Sequence, residues 1–288
     1  MEADVNKLLS EYVKNMPSLP TSVAKIMEVC NNPQTSPVDL NNIVSLDPVL
    51  IGRVLKLINS AYYGLGQHVT SLAKAIIMLG INTVKNLALS TAVMGTISTK
   101  GSSAGLEMEG FWRHSLGVGV SAKLLAKKRG IDSKQTEEYF TAGLLHDIGK
   151  ISINAVLSKE YVVSLSVADK ERKPLFLAEN NTLGMTHCEA GAMIANAWKL
   201  DGAVCDVIVH HHNYEEYSGK YTDVLYSVAA ANHFVSISNI GFSGNRHPVS
   251  VSPGIWEALN VPPDVFFDLE DTVNKEIEKA KVFLKIGE

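Results

Sequence analysis

Cysteine is scarce in this chain, long apolar runs and a basic excess are absent, and no segment alternates as a strand does. Each absence removes a class of protein. The 288 residues hold three cysteines, Cys30, Cys188 and Cys205. Their spacings do not match zinc-ribbon or zinc-finger patterns, and an odd number suits no disulfide framework. They read as reduced thiols. Cys30 sits on the apolar face of a helix and belongs to the core. Cys188 neighbours His187, but the burial habit of free cysteine outweighs a ligand role there. No stretch of eighteen apolar residues occurs, so neither a span nor a membrane partner is expected. The opening residues, Met1 to Lys7, lack the basic and apolar regions of a signal peptide, which makes a cytoplasmic location the expectation. Net charge is −4 and the pI is near 6.1. That excludes bulk nucleic-acid binding. The one basic cluster, Lys123, Lys127, Lys128 and Arg129, falls at a helix end. There it reads as a solvated face favoured by the helix dipole rather than as a phosphate site.

What is present is helical periodicity. With 46% hydrophobic and 19% charged residues, the chain is long enough for one large domain or two tightly joined ones. Val23, Ile26, Met27 and Cys30 share one helical face, and Leu40, Ile43 and Val44 share the next. Asp47-Pro48 is an N-cap followed by proline at the first helical position, opening a helix through Leu50, Ile51, Val54, Leu55, Leu57 and Ile58. Ser71 caps a short helix closed by Gly80, and another follows through Val84, Leu87 and Thr91. The pattern predicts an all-α protein. Residues 1–98 form an N-terminal helical subdomain, and 98–105 read as a linker rich in serine and glycine. Residues 106–240 form a helical bundle. Residues 241–288 begin with a Gly, Ser and Pro loop to about 254 and end in two helices, Pro253 to Leu259 and about Pro263 to Leu284.

One pair of residues stands out chemically. His146 and Asp147 lie side by side directly after the apolar run Tyr139, Phe140, Ala142, Leu144 and Leu145. Burying an unpartnered carboxylate costs several kcal/mol, about the largest penalty a core residue can carry. A metal ion offers compensation, because it takes an imidazole nitrogen and a carboxylate oxygen together. Further histidines lie on or beside segments that should pack inward: His114 at a helix start, His187 at another, and His210, His211 and His212 after Val204, Val207, Ile208 and Val209. Imidazole is the commonest metal ligand. His68 and His247 lie in loop-like contexts. His233 is about 100° around a helix from Asn232, so the two do not face the same ion.

The order His114, His146-Asp147, His187 and His211-His212 resembles the metal pattern of the HD superfamily of phosphohydrolases. Lys150, in the run HDIGK, is similar to the lysine of the HD-GYP branch. The phrases SLPTSVAKIMEV, IVSLDPVLIGRVLKLINSAYYG, SLAKAIIMLGINTVKNLAL, FWRHSLGVGVSAKLLA and LLHDIGK resemble the HDOD domain, an HD-related output domain of bacterial signalling proteins, over roughly residues 10 to 240. The resemblance implies an N-terminal helical subdomain packed on an HD-superfamily bundle. It also implies one or two divalent transition metals, iron, zinc, nickel or manganese. One would sit on His114, His146 and Asp147, with Asp147 bridging to a second on His187, His211 and His212; His210 is the alternative to a member of the pair. Two departures matter. Asn232 stands where the superfamily places its last aspartate, and an amide is a poorer ligand than a carboxylate. Residues 213–221 lack the Gly-Tyr-Pro signature of cyclic dinucleotide phosphodiesterases, so that activity is not implied. The favoured expectation is a regulatory module that binds metal, catalyses weakly or not at all, and works through a signalling protein partner. The alternative is a metal-dependent phosphohydrolase acting on a nucleotide or phosphoester, with Asp147 and Lys150 as its catalytic groups.

Overall fold

Helical periodicity in nearly every segment becomes an all-α architecture. The computed structural model describes residues 2–30, 34–44, 47–97 and 105–286, and among them there is no strand. The N-terminal helices are α1 (Glu2–Asn15), α2 (Thr21–Cys30), α3 (Pro37–Val44), α4 (Pro48–Ile58), α5 (Leu72–Leu79) and α6 (Ile81–Thr96). The expected caps are in place. The Asp47 carboxylate accepts the Leu50 N–H at 2.9 Å, with Pro48 in the first helical turn. Ser71 accepts the Lys74 N–H, and Gly80 ends α5 at φ 86°. The predicted linker at 98–105 lies almost wholly outside the described residues.

The bundle follows: α7 (Met108–Lys128), α8 (Thr136–Leu145), α9 (Ile148–Val156), α10 (Ser158–Glu171), α11 (Leu175–Leu183), α12 (His187–Ala197), α13 (Gly202–His210) and α14 (Thr222–Ile237). Helix α8 is central, packed by α6, α7, α13 and α14. Helices α9 and α12 form a second tight pair, and α1 lies across both. One continuous apolar cluster runs from Val5 to Phe283. At the C-terminus, α15 (Pro253–Leu259) matches expectation. The second helix does not begin at Pro263: α16 covers Glu270–Ala280, with short 3-10 turns on either side. It packs on α7, and the turn that follows it reaches α4 and α6.

The basic cluster is not the solvated face its sequence suggested. Lys123 is buried, paired with Glu137, and lies over the Tyr62 and Tyr63 rings at 4.7 and 5.1 Å. Tyr63 donates to the other Glu137 oxygen at 2.6 Å, so the N-terminal helices meet the bundle across a buried ion pair. Arg129 donates to both oxygens of Asp223 on α14 and to the Leu259 carbonyl on α15. Lys127 and Lys128 alone are exposed.

Candidate metal centre

The His146-Asp147 pair occupies the two-residue break between α8 and α9, with Asp147 at the N-cap position of α9. Three other segments converge on it. Two close backbone approaches make this possible. Gly143 on α8 meets Gly119 on α7, where an added Cβ would stand 2.8 Å from the opposing Cα. Gly149, two residues after Asp147, meets the start of α12, where an added Cβ would stand 1.9 Å from the His187 carbonyl oxygen. These contacts bring His114 and His187 beside Asp147. A capping box, Thr186 with Glu189, fixes the first turn of α12 and so the position of His187. His211 is the C-cap of α13.

The donors face one another at short range. From Asp147 Oδ1, His187 Nε2 is 3.3 Å away and His211 Nε2 is 3.5 Å away. The two imidazole Nε2 atoms are 3.3 Å apart. On the other carboxylate oxygen, Oδ2, lie His146 Nε2 at 3.2 Å, His114 Nε2 at 3.9 Å and the Lys150 ammonium at 2.7 Å. All six residues are at most 2% exposed.

The outer contacts set the tautomers. The Nδ1 atoms of His146 and His211 face the carbonyls of Gly143 and Val207 at 2.7 and 3.0 Å. His187 Nδ1 faces the buried Glu179 carboxylate at 2.5 Å, and Tyr161 donates to the other oxygen of Glu179. With an N–H on each Nδ1, the three Nε2 atoms can turn lone pairs to a cation. In its absence burial works to lower the His211 pKa, but Cys188 and Asp147 raise it to about 9, so its Nε2 carries a proton toward the carboxylate. His146 Nε2 and Asp147 Oδ1 are buried without a hydrogen-bond partner. Lone pairs facing lone pairs in a dry site repel, and a cation between them removes the conflict. A mixed imidazole and carboxylate set suits a borderline divalent transition ion, so the residues present fit the group that the sequence implied.

Ionisation follows from the same geometry. Burial alone would raise the Asp147 carboxyl, but His146 and Lys150 hold it well below the usual carboxylate range. Burial pushes His114 down to about 3 and His187 well below its ordinary value. Burial lifts Glu179 to about 7, against Lys150 and the His187 N–H.

Other predicted site residues are placed differently. His114 Nε2 meets Asn232 Oδ1 at 3.0 Å, a contact in which the ring donates to the amide instead of presenting a lone pair to Asp147. His212 lies at the edge of the group, stacked on Phe176 at 4.5 Å and edge-on to His187. His210 turns away to Tyr217. His233 donates to the Val249 carbonyl, away from the centre. Cys188 was read as a core thiol, yet its sulfur stands 3.8 and 4.0 Å from the two ring nitrogens of His211. The donor atoms group as His187, Cys188 and His211 on one side and His114, His146 and Asp147 on the other.

The predicted loop after α14 closes the site from above. The Phe242 N–H bonds to the Gly110 carbonyl at 2.9 Å. Lys150 donates to the Ser243 carbonyl and hydroxyl at 3.1 and 3.3 Å. Asn245 accepts the Leu175 N–H. The cavity reaching His211, His212 and Asn232 holds about 40 Å³.

Against this frame of helices and histidines, the family model described as the HDOD domain matches residues 16–214. The chain belongs to the HDOD domain family. Among solved structures, an HDOD domain protein with unknown function from Geobacter sulfurreducens is 28% identical, with 96% of each chain covered and a TM-score of 0.75. A "Putative phosphohydrolase" from Shewanella amazonensis is 25% identical, with 97% of each chain covered and a TM-score of 0.66. An uncharacterized protein of Treponema pallidum is 26% identical over 225 residues, 78% of this chain. The chain spans 43% of that relative's length. The HDOD match ends before α14, so Asn232 and the covering loop lie beyond it.

Proposed function

We propose that this HDOD protein is a regulatory module of a bacterial cytoplasmic signalling system. Its His-Asp centre holds a divalent transition metal as a structural element, catalyses weakly or not at all, and supports a fold that acts by binding a protein partner. The observation that carries this reading is enclosure. Asp147, His146, His187 and His211 are at most 2% exposed. The adjoining cavity of about 40 Å³ has room for only a few water molecules, whereas small-ligand sites run to roughly 300–1,000 Å³. A bound dication would neutralise Asp147 and, were substrate able to reach it, would polarise a phosphoryl oxygen and acidify water. The residues around it do other work. Lys150 balances Asp147 and anchors the loop at Ser243, while Glu179 orients His187. Asn232 gives His114 a neutral partner, so the Oδ2 side lacks the second anion that another dication needs.

The second reading, a metal-dependent phosphohydrolase acting on a nucleotide or phosphoester, is favoured by the likeness to the Shewanella amazonensis protein. Metal content of protein purified without a histidine tag, together with hydrolysis assays on cyclic dinucleotides and p-nitrophenyl phosphate, separates the two. The expected result is about one bound metal per chain and no turnover above background. Robust turnover that Asp147→Ala abolishes would establish the enzyme. Metal-free protein whose stability ignores added zinc or iron would remove the structural metal.

A further inference from the structure

We propose that a pocket between α14 and α15 binds one small neutral aromatic molecule of about two fused rings that carries a hydrogen-bond donor, as indole does. The proposal goes beyond the reading above and does not depend on the metal. Every residue that lines the pocket lies past residue 214, where the HDOD match ends.

Size, wall and charge set the class of ligand. The pocket holds about 210 Å³, roughly 1.4 times the apolar cavity of about 150 Å³ that takes up benzene. One ring leaves it underfilled, and two fused rings suit it. Phe234, Trp256, Phe266 and Phe267 give it an aromatic wall. Phe234 and Phe266 stack at 4.6 Å with 10° between their planes, which fixes their orientation. Such a wall favours a flat aromatic guest, through offset stacking or edge contact. Among the described residues, no Asp, Glu, Lys or Arg lines the pocket, so an ionised guest would lose hydration and gain no partner. His233, also in the lining, supplies an acceptor that is held in place. Its Nδ1 donates to the Val249 carbonyl at 2.9 Å. A carbonyl only accepts, so the proton is on Nδ1 and the neutral ring keeps a lone pair on Nε2. Burial favours that neutral form by lowering the His233 pKa. The lone pair calls for an N–H or O–H on the guest.

The exposed part of the lining points the same way. Ile237 and Phe267 are 52% and 72% exposed. Large apolar side chains held in water beside an aromatic pocket are surface that a guest covers. Two such side chains fall short of the roughly 800 Å² per partner that a stable protein interface buries, which favours a small guest over a second chain. His233 and Val251 also line the small cavity that reaches His211, His212 and Asn232. A guest on His233 therefore meets the loop that covers the metal centre, through the His233–Val249 hydrogen bond.

Calorimetric titration of the full chain with indole tests this, with benzofuran, of the same shape but without the N–H, as the comparison. The expected result is one indole per chain with a dissociation constant below about 1 mM, ordinary for so small a ligand. His233→Leu should lower the ratio of indole to benzofuran affinity about threefold or more, the loss of one neutral hydrogen bond. Phe267→Ala should weaken both ligands several-fold; its site is largely exposed, which covers the case in which His233→Leu fails to fold. No saturable binding, or binding that Phe267→Ala leaves unchanged, overturns the pocket as the site. A ratio that His233→Leu leaves unchanged overturns the donor requirement. Sedimentation that shows a dimer split by Phe267→Asp gives the pocket to a second chain and overturns the small ligand.

Discussion

Replacing Gly149 with alanine tests whether backbone contact between α9 and α12 builds the centre. The new Cβ would stand 1.9 Å from the His187 carbonyl oxygen and 2.5 Å from the Gly191 nitrogen, where ordinary contact begins at 3.4 Å. Both obstacles are backbone, so no side chain can swing aside. Helix α12 must retreat by about 1.5 Å, and a close-packed interior transmits such a shift. His187 Nε2, now 3.3 Å from Asp147 Oδ1, would stand as much as roughly 4.8 Å away, too far for two ligands of one ion. Overpacking of this kind costs about 1–3 kcal/mol. For a chain of this size each kcal/mol lowers Tm by roughly 2–4 °C, so a fall of several degrees is expected, together with loss of bound metal. Calorimetry and metal analysis read both. Gly52→Ala is the control: it lies in α4, with nothing within 4 Å of its added Cβ, and should stabilise by a few tenths to about 1 kcal/mol. An unchanged Tm and full metal content in Gly149→Ala would refute the argument that this contact positions His187.

Lys123→Met should cost about 3–5 kcal/mol, because it strands the buried Glu137 carboxylate with Tyr63 as its remaining partner. Lys123→Met/Glu137→Met should recover much of that in urea denaturation, and a double variant as damaged as the single one would contradict the pairing. Burial works to raise the Asp223 pKa, but Arg129 and Tyr139 outweigh it, so the folded value lies below the ordinary 3.8. Stability from this group is therefore present above pH 3.8 and lost as pH falls through the lower folded value. The Tm gap between the native chain and Asp223→Asn should be open at neutral pH and close in acid, and a gap constant across that range would show that the ion pair contributes nothing.

The helices were legible because each carries its own period and its own punctuation, as at Asp47-Pro48 and Ser71. The HDOD family was legible from several ordered phrases. The grouping of His146, Asp147, His187 and His211 came from the order of histidines that resembles the HD superfamily; the same resemblance put His114 and His212 on the ions, and these face Asn232 and Phe176 instead. Cys188 was read as a core thiol and is buried, but sequence does not show that the His211 ring lies across from it at 3.8 Å. Lys123 was misread with its basic neighbours, although it extends the buried stripe Leu116 and Val120 at helical spacing. Its acceptor, Glu137, comes from the next helix, and no local pattern joins the two. The cover formed by Ser243 and Asn245 was invisible for a different reason: irregular segments have no period from which burial can be read.

The donor helices are also the helices that seat the N-terminus. Asp147 begins α9 and His187 begins α12, and α1 packs on these two. Trp198, just past α12, donates to the Pro17 carbonyl at 3.2 Å, next to the Ser18-Leu19-Pro20 phrase by which the family was recognised. An ion shared by Asp147, His187 and His211 would therefore tie α9, α12 and α13 at one point, and α1 leans on two of the three. His187 Nε2 and Asp147 Oδ1 stand 3.3 Å apart at the junction of α9 and α12, and burial holds the His187 pKa well below its ordinary value. A buried ion with this placement would act on the packing of α9, α12 and α13. A centre sealed in this way is what the proposed reading requires, in which the metal supports the fold and a protein partner is bound at the surface.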